Sequence, residues 1–242
     1  MNLIIDAGNT SVKLAIFKKT EIIHLESVAA YDFVAAVKII FKNYPKIQFA
    51  IISSVGALSK EQMNVLAIFC EVHELSNTSK VPFKNSYASP QTLGVDRLAL
   101  ATAAFYFNPH HNNLIIDAGT CITYDMLNDF DEYLGGSISP GVQMRYNAMH
   151  NQTAKLPLLE KVELLDYIGN TTENCMHSGV INGVILEIDG LIDLYKSRFK
   201  DLTIILTGGD TLFLSKRLKN TIFADSKFLL KGLNYLLEYN KH

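Results

Sequence analysis

The 242-residue chain is predicted to adopt an α/β fold made of two similar halves. An internal repeat carries this prediction, because the run Leu3-Ile4-Ile5-Asp6-Ala7-Gly8 recurs letter for letter at 114–119, nearly half a chain length later. Each copy leads through a tight turn into a second β-like run, and elsewhere apolar strands alternate with helical patterns. We therefore expect halves at 1–108 and 109–242, with a boundary near Asn108-Pro109.

The remaining elements follow from periodicity and chain punctuation. A capping box at Ser59-Lys60-Glu61-Gln62 predicts a helix start, and Gly208-Gly209 separates a buried strand from a following helix. Besides the repeated segment, the predicted strands are 12–17, 47–52, 122–127 and 202–206, and the predicted helices are 32–44, 59–70, 98–105, 144–150, 175–195 and 225–239.

Composition excludes several classes of protein. The chain is 48% hydrophobic, which is enough for a packed core, and its 22 Lys+Arg against 24 Asp+Glu lack the basic excess of a nucleic-acid-binding protein. The N-terminus has no basic region before an apolar stretch, and no window approaches the roughly 20 unbroken apolar residues of a membrane span. We expect no secretory signal, no nucleic-acid partner and no membrane partner.

The three cysteines, Cys70, Cys121 and Cys175, are far apart and form no C-x-x-C pair. This spacing argues against both a disulfide framework and a zinc site. A reducing cytoplasm is the predicted location.

The first copy of the repeat ends in Asp6-Ala7-Gly8-Asn9-Thr10, a strand that turns directly into another strand. Glycine lets the backbone bend and approach a ligand, and the turn exposes amides and hydroxyls that can hold phosphate. Lys13 on the second strand can place a charge near a β- or γ-phosphate, and Asp6 can hold a hydrated Mg²⁺. An ordinary hairpin with a structural glycine is the alternative, which the second copy makes less favoured.

The second copy, Asp117-Ala118-Gly119-Thr120-Cys121, has no lysine at the position that matches Lys13. Thr120 can donate its hydroxyl to a phosphate, and Asp117 is an oxygen ligand for a cation. The alternative for Thr120 is a turn hydroxyl bonded to its own backbone. If the halves pack face to face, the two turns meet across one cleft and hold a phosphate pair from both sides.

A third motif, Gly94-Val95-Asp96-Arg97, precedes an apolar helix, so Asp96 and Arg97 fall in its first turn. An ionised carboxylate there can accept the proton of an alcohol that attacks a phosphate. Arginine is unfavourable at a helix N-terminus and therefore suggests an anionic partner such as a carboxylate. The alternative is a capping aspartate with a solvated arginine.

Paired glycines at two further strand ends complete the pattern, in Gly135-Gly136-Ser137-Ile138-Ser139-Pro140-Gly141 and in Leu206-Thr207-Gly208-Gly209-Asp210. The second set can let a flat ring such as adenine lie against backbone, although turn punctuation explains it equally well. The sequence has no G-x-x-x-x-G-K-[ST], G-x-G-x-x-G or H-E-x-x-H, so P-loop kinases, dinucleotide enzymes and zincins are not supported.

Together with Tyr87 and Thr172, these motifs resemble the type III pantothenate kinases in order and spacing over nearly the whole chain. The resemblance implies two ribonuclease-H-like halves of the actin/sugar-kinase superfamily around a central nucleotide cleft. It implies transfer of phosphate from MgATP to the primary hydroxyl of pantothenate, which yields 4′-phosphopantothenate, the first step of coenzyme A biosynthesis.

The resemblance also assigns roles to individual residues. Asp96 is the implied catalytic proton acceptor, and Asp117 is the implied ligand of a monovalent cation, K⁺ or NH₄⁺. The implied ATP-binding residues are Asp6, Ala7, Gly8, Asn9, Thr10, Ser11, Val12, Lys13 and Thr120. The implied pantothenate-binding residues are Tyr87, Gly94, Val95, Asp96, Arg97 and Thr172. The family is dimeric with pantothenate near the subunit interface, which leaves open whether Thr172 serves its own site or that of the partner subunit.

Two other functions stay open on the residues alone. The phosphate turns do not define the acceptor, so another small-molecule kinase of the same superfamily is one alternative. A nucleotide-binding regulator without turnover is the other, although Asp6, Asp96 and Asp117 are all present and the chain is slightly acidic.

Overall fold

The computed structural model describes residues 1–8, 11–54, 58–163 and 166–241. The chain divides into two compact units: unit 1 is Met1–Phe107 with Phe228–His242, and unit 2 is Asn108–Lys227. The predicted halves, 1–108 and 109–242, differ from these units in the C-terminal segment. That segment groups with the first unit because its apolar face packs there.

Unit 1 is built on a mixed sheet whose strands run in the order β3-β2-β1-β4-β5. Antiparallel pairing joins β1 to β2 and β2 to β3, and parallel pairing joins β1 to β4 and β4 to β5. The strands of this sheet are β1 (Asn2–Ala7), β2 (Val12–Lys18), β3 (Glu21–Val28), β4 (Phe49–Ser54) and β5 (Glu71–Glu74). A short strand later in the chain, β6 (Lys84–Asn85), is not part of it.

Helices cover both faces of this sheet. On one face, Leu3, Ile5 and Leu14 pack with Phe33 and Val37. On the other face, Ile4 and Phe17 belong to a second core cluster with Ala99 and Leu233. The helices are α1 (Phe33–Asn43), α2 (Lys60–Asn64), α3 (Val95–Phe107) and, at the C-terminal end, α7 (Phe228–Asn240). The Ser59 capping box at the start of α2 is confirmed, but α2 is short and a 3₁₀ turn, Leu66–Ile68, follows it.

The C-terminal helix α7 is joined closely to α3 and β1. A Cβ on Gly232 would lie 1.9 Å from the Ala99 carbonyl oxygen, so only glycine permits this approach of α7 to α3. The buried Asn2 amide donates to Asn234 Oδ1 at 2.8 Å and to Glu238 Oε1 at 2.6 Å. These hydrogen bonds fix the end of the chain to its beginning.

Unit 2 repeats the architecture with strands in the order β11-β10-β7-β8-β9. The central strand β7 pairs antiparallel with β8 and parallel with β10. The strands are β7 (Asn113–Ala118), β8 (Cys121–Leu127), β9 (Glu132–Pro140), β10 (Thr203–Thr207) and β11 (Phe223–Ala224). The helices are α4 (Val142–Gln152), α5 (Thr172–Arg198) and α6 (Thr211–Ser215).

Within unit 2, one face of α5 packs with α4 and the sheet. Val180, Val184 and Ile188 of α5 share a buried cluster with Ile116 of β7 and Tyr146 of α4. By length and composition alone α5 could cross a membrane, since its 27 residues are sufficiently apolar. A helix in the core of a protein passes the same test, and one face of α5 is buried in the core of unit 2.

The repeat predicted from sequence is confirmed as two structurally equivalent strands. β1 and β7 have the same sequence, NLIIDA, and the same pattern of burial, with the aspartate half-buried and the other five residues buried. The turns that follow differ in length, because Ala7 pairs with Val12 in unit 1 whereas Ala118 pairs with Ile122 in unit 2. The predicted helices and strands are otherwise confirmed apart from small shifts at their ends.

Candidate active site

In unit 1, the first turn brings a carboxylate and an ammonium group together at the end of β1. Asp6 is the direct register partner of Lys13 on β2, and Lys13 Nζ lies 3.8 Å from Asp6 Oδ2. The Gly8 amide donates to the Ser11 carbonyl at 3.2 Å. Asn9 and Thr10, both predicted to bind ATP, lie outside the described residues.

The electrostatics of Asp6 reflect three influences. Burial raises the pKa of the Asp6 carboxyl above its ordinary value, the Lys13 ammonium lowers this pKa, and the negative charge of Asp96 raises it. The two carboxylates are therefore close enough to interact.

Asp96 lies in the first turn of α3, as predicted. Its Oδ1 accepts a hydrogen bond from the backbone amide of Arg97 at 2.9 Å, which fixes the half-buried carboxylate at the helix N-terminus. A Cβ on Gly94 would lie 2.4 Å from the same oxygen. A larger residue at this position would therefore force the Asp96 carboxylate to move.

Arg97 is buried, with a relative exposure of 5%, so the alternative of a solvated arginine is wrong. Its guanidinium carbon lies 5.7 Å from the centroid of the Tyr87 ring, within the range of a cation–π contact. Tyr87 and Arg97, which the family resemblance assigns together to pantothenate binding, are therefore neighbours. The packing explains how an arginine is accommodated beside a helix N-terminus.

In unit 2, the second turn carries Asp117 and Thr120. Asp117 is the register partner of Thr123, so a threonine occupies the place that Lys13 has in unit 1. The Thr120 side chain is exposed and, among the described residues, it forms no hydrogen bond with its own backbone. The Gly141 amide donates to the Thr120 carbonyl at 3.1 Å.

Two glycines shape this second turn. Gly208 has a φ of +96°, and a Cβ there would lie 2.4 Å from both Asp117 Oδ1 and the Ala118 carbonyl oxygen. A Cβ on Gly141 would lie 2.2 Å from the Gly119 carbonyl oxygen. Both glycine motifs of unit 2 therefore pack directly on the turn that holds Asp117 and Thr120.

Thr172 is the first residue of α5 and lies beside a pocket at the start of this helix. The preceding residue, Thr171, is the N-cap, and its hydroxyl accepts a hydrogen bond from the Asn174 amide. The pocket has a volume of about 670 Å³. Its lining combines apolar and polar side chains of unit 2, among them Met149, Leu156, Thr171, Thr172, Cys175 and Met176.

Sequence reasoning missed a polar network next to the second turn. Arg145 of α4 contacts Glu187 of α5 at 2.5 Å, and Tyr124 donates its hydroxyl to the same carboxylate at 3.0 Å. No periodicity or motif signals this network, because its members come from two helices and a strand. A helical arginine just after the Pro140-Gly141 motif was the one available hint.

The aspartates of the two turns suit two kinds of cation. One kind binds together with the nucleotide, and the other is held by carboxylate and backbone oxygen atoms together. Among the residues described by the structure, no group of three or more His, Cys, Asp or Glu side chains could hold a metal ion. Mg²⁺ bound to nucleotide phosphates needs only one or two protein carboxylates, a requirement that Asp6 fits. Asp117 beside backbone carbonyl oxygen offers the all-oxygen donors that an alkali cation takes.

Known proteins are similar to this chain over its whole length. The family model "Type III pantothenate kinase" matches residues 2–194. A type III pantothenate kinase from Flavobacterium psychrophilum is 47% identical over 241 residues, which cover 100% of both chains.

Solved structures are also similar over the whole chain. A conserved Campylobacter jejuni protein grouped with the Baf family of transcriptional activators has a TM-score of 0.64 at 21% identity, covering 99% of this chain and 98% of that chain. A glucokinase from an Antarctic psychrotroph has a TM-score of 0.53 at 13% identity, covering 98% of each chain. At these identities the similarity shows the fold alone.

Proposed function

The chain belongs to the type III pantothenate kinase family, which phosphorylates pantothenate in coenzyme A biosynthesis, and we propose that Asp96 is the residue on which this phosphoryl transfer depends. The observation that carries the proposal is the fixed carboxylate at the start of α3. It is bonded to the Arg97 amide, and its charge acts on Asp6 of the phosphate turn.

In the proposed reaction, the primary hydroxyl oxygen of pantothenate forms a bond to the γ-phosphorus of ATP. The bond from that phosphorus to the β–γ bridging oxygen breaks, and ADP leaves with the electron pair. The hydroxyl proton passes to Asp96. Because an alcohol is a far weaker acid than a carboxyl group, Asp96 orients the hydroxyl first and takes its proton late.

The phosphates of ATP are assigned to the two turns. Lys13 supplies a positive charge in unit 1, and Thr120 supplies a hydroxyl in unit 2. Mg²⁺, when bound with ATP, would be held through Asp6 and would neutralise phosphate charge. The raised pKa of Asp6 is consistent with this role, since burial disfavours its charge until a cation is present.

A monovalent cation, K⁺ or NH₄⁺, is assigned to Asp117. The carboxylate lies beside the Ala118 carbonyl, and Gly208 leaves room for the two oxygens to stand together. Such a cation would add positive charge near the phosphates and would steady the second turn.

Pantothenate is assigned to the segment around Asp96. Its carboxylate is complementary to the Arg97 guanidinium, and Tyr87 lies against that guanidinium. Thr172 is assigned to pantothenate from the pocket at the start of α5. We further propose a cytoplasmic homodimer, in line with the family resemblance.

The first test is release of ADP from purified protein with MgATP, with and without pantothenate, in K⁺ and again in Na⁺. Phosphopantothenate is detected by mass. Pantothenate-dependent ADP release in K⁺ with little in Na⁺ supports both the acceptor and the cation at Asp117. Equal rates in K⁺ and Na⁺ remove the cation assignment. ATP binding without any pantothenate-dependent ADP release favours a kinase with another acceptor or a non-catalytic regulator.

The second test addresses Asp96 itself. Asp96→Asn is expected to lower turnover by a factor of about 100 or more while ATP affinity changes little, because the carboxylate acts on the acceptor. Asp32→Asn is the matched control, since Asp32 also starts a helix of unit 1 but is exposed and forms no capping hydrogen bond. Equal losses of turnover and ATP affinity in Asp96→Asn would sink the assignment.

A further inference from the structure

Arg145 is the centre of a polar cluster beside the second phosphate turn. Its Nη2 donates to Glu187 Oε2 at 2.5 Å and to Ser139 Oγ at 3.0 Å, and its Nε donates to the Pro140 carbonyl at 2.9 Å. The guanidinium thus joins α5 to the end of β9. Such multiple donation fixes geometry in a way that a single point charge does not.

The segment that Arg145 holds is the one that supports Thr120. Pro140 is the register partner of Cys121, and the next residue, Gly141, donates its amide to the Thr120 carbonyl at 3.1 Å. A Cβ on Gly141 would lie 2.5 Å from that same carbonyl oxygen. Any displacement of Pro140-Gly141 would therefore also displace the Thr120 backbone, because the two segments are in direct contact.

The charge of Arg145 is balanced by Glu187. Burial raises the pKa of the Glu187 carboxyl, but hydrogen bonds from Arg145, Ser139 and Tyr124 lower it, and the net direction is downward. The pair is partly buried, with side-chain exposures of 22% and 26%. A cation in the first turn of α4 is unfavourable for the helix dipole, so Glu187 offsets a placement that the helix alone disfavours.

We propose that Arg145, held by Glu187, is a positioning residue for ATP: it fixes Pro140-Gly141 against the second turn and thereby aims Thr120 at the phosphates. The inference rests on the proposed ATP contact of Thr120. Arg145 itself touches neither substrate, so its loss acts on ATP binding through Thr120.

The test is a double-mutant cycle between Arg145→Met and Thr120→Ala, read as KM for ATP, KM for pantothenate and turnover. Arg145→Met is expected to raise KM for ATP about tenfold, with a smaller change in KM for pantothenate. Arg145→Lys keeps the charge beside Glu187 and should recover part of the loss. In the Thr120→Ala background, Arg145→Met should add little, because the group it positions is already gone.

Controls separate positioning from folding. Lys219→Met breaks an exposed ion pair of the same unit and should leave all three kinetic values unchanged. If Arg145→Met fails to fold, Glu187→Gln provides the same test, with a smaller rise in KM for ATP expected. Melting temperatures of all variants show whether the remaining effects come from the folded enzyme.

Each unfavourable outcome identifies what has failed. If Thr120→Ala raises KM for ATP and Arg145→Met adds its full effect on top, the inference is wrong while the proposed ATP site stands. If Thr120→Ala leaves KM for ATP unchanged, the ATP role of Thr120 and the inference both fall. Equal changes in both KM values with lowered stability would make Arg145 merely structural.

Discussion

Gly94 faces the carboxylate of Asp96 so closely that a Cβ at residue 94 would lie 2.4 Å from Asp96 Oδ1, nearer than any van der Waals contact. Gly94→Ala therefore has to displace the carboxylate or shift the start of α3. We expect turnover to fall about tenfold or more, with a minor change in melting temperature because residue 94 is exposed. Steady-state kinetics and a thermal melt of the variant check this.

Gly190→Ala is the matched control for that substitution. Among the described residues, a Cβ at Gly190 meets nothing within 4 Å, and the position is inside helix α5. Replacing a helical glycine with alanine should stabilise the protein by about 0.5–1 kcal/mol. Full turnover in Gly94→Ala would contradict the fixed position of Asp96.

Gly208→Ala should damage the cation site of unit 2. The residue has a φ of +96°, which alanine rarely adopts, and its Cβ would collide with Asp117 Oδ1 and the Ala118 carbonyl. We expect a loss of stability of about 1–3 kcal/mol and a loss of K⁺ activation. Denaturant unfolding and rates at a series of K⁺ concentrations measure the two effects.

The control for this prediction is Gly179→Ala, since a Cβ there contacts none of the described residues within 4 Å. It should keep its response to K⁺. An unchanged K⁺ response in Gly208→Ala would argue against a cation at Asp117.

Asp6→Asn should separate stability from activity. Burial and Asp96 raise the pKa of Asp6 in the folded protein above its value in the unfolded chain, despite the opposing effect of Lys13. The folded protein therefore binds this proton more tightly than the unfolded chain does. Because the carboxyl group is ionised at neutral pH, its charge lowers the free energy of unfolding there. The variant should melt at a higher temperature at pH 7, a gain that vanishes below the ordinary pKa of Asp.

The activity of Asp6→Asn should fall, although its melting temperature at pH 7 rises. Without the carboxylate, Mg²⁺ loses its protein partner, and we expect turnover to fall about 100-fold or more. Activity is assayed at pH 7, and melts are recorded from neutral to acidic pH. A lower melting temperature of the variant at pH 7 would contradict the assigned sign of the pKa shift.

Alkylation with iodoacetamide should distinguish the cysteines. Cys175 is exposed and lines the pocket of Thr172, whereas burial, with a contribution from Glu71, raises the pKa of Cys70 to about 11. At pH 8 Cys175 should react much faster than Cys70, because only the thiolate is nucleophilic. Peptide mass spectrometry follows each site.

Pantothenate should slow the reaction of Cys175 and leave that of Cys70 unchanged. The protection depends on the assignment of Thr172 to the same pocket. Equal labelling of Cys175 with and without saturating pantothenate would count against that assignment.

The elements were predictable because local signals agree with tertiary packing. The NLIIDA segments are strands in both units because their apolar residues fit a buried sheet, and the Ser59 capping box starts a helix through contacts within four residues. The placement of Asp96 in the first turn of α3 followed from the same kind of local pattern.

The remaining features depend on contacts distant in sequence. Nothing near Arg97 indicates that it is buried against Tyr87, and nothing in α4 indicates that Arg145 meets Glu187. The C-terminal helix was predictable as an element, but its grouping with unit 1 was not, since its partners Ile4 and Ala99 lie far upstream. Periodicity reports which face is apolar, and it does not report what covers that face.

The division of unit 1 between the two ends of the chain has a consequence for folding during synthesis. One face of its sheet is covered by α7, whose Leu233 and Leu236 pack with Ile4 and Phe17. A ribosome makes these leucines after the whole of unit 2. Because unit 2 is continuous in sequence, it can complete its core on the nascent chain. During that time one apolar face of the unit 1 sheet stays exposed, until α7 is synthesised and packs on it.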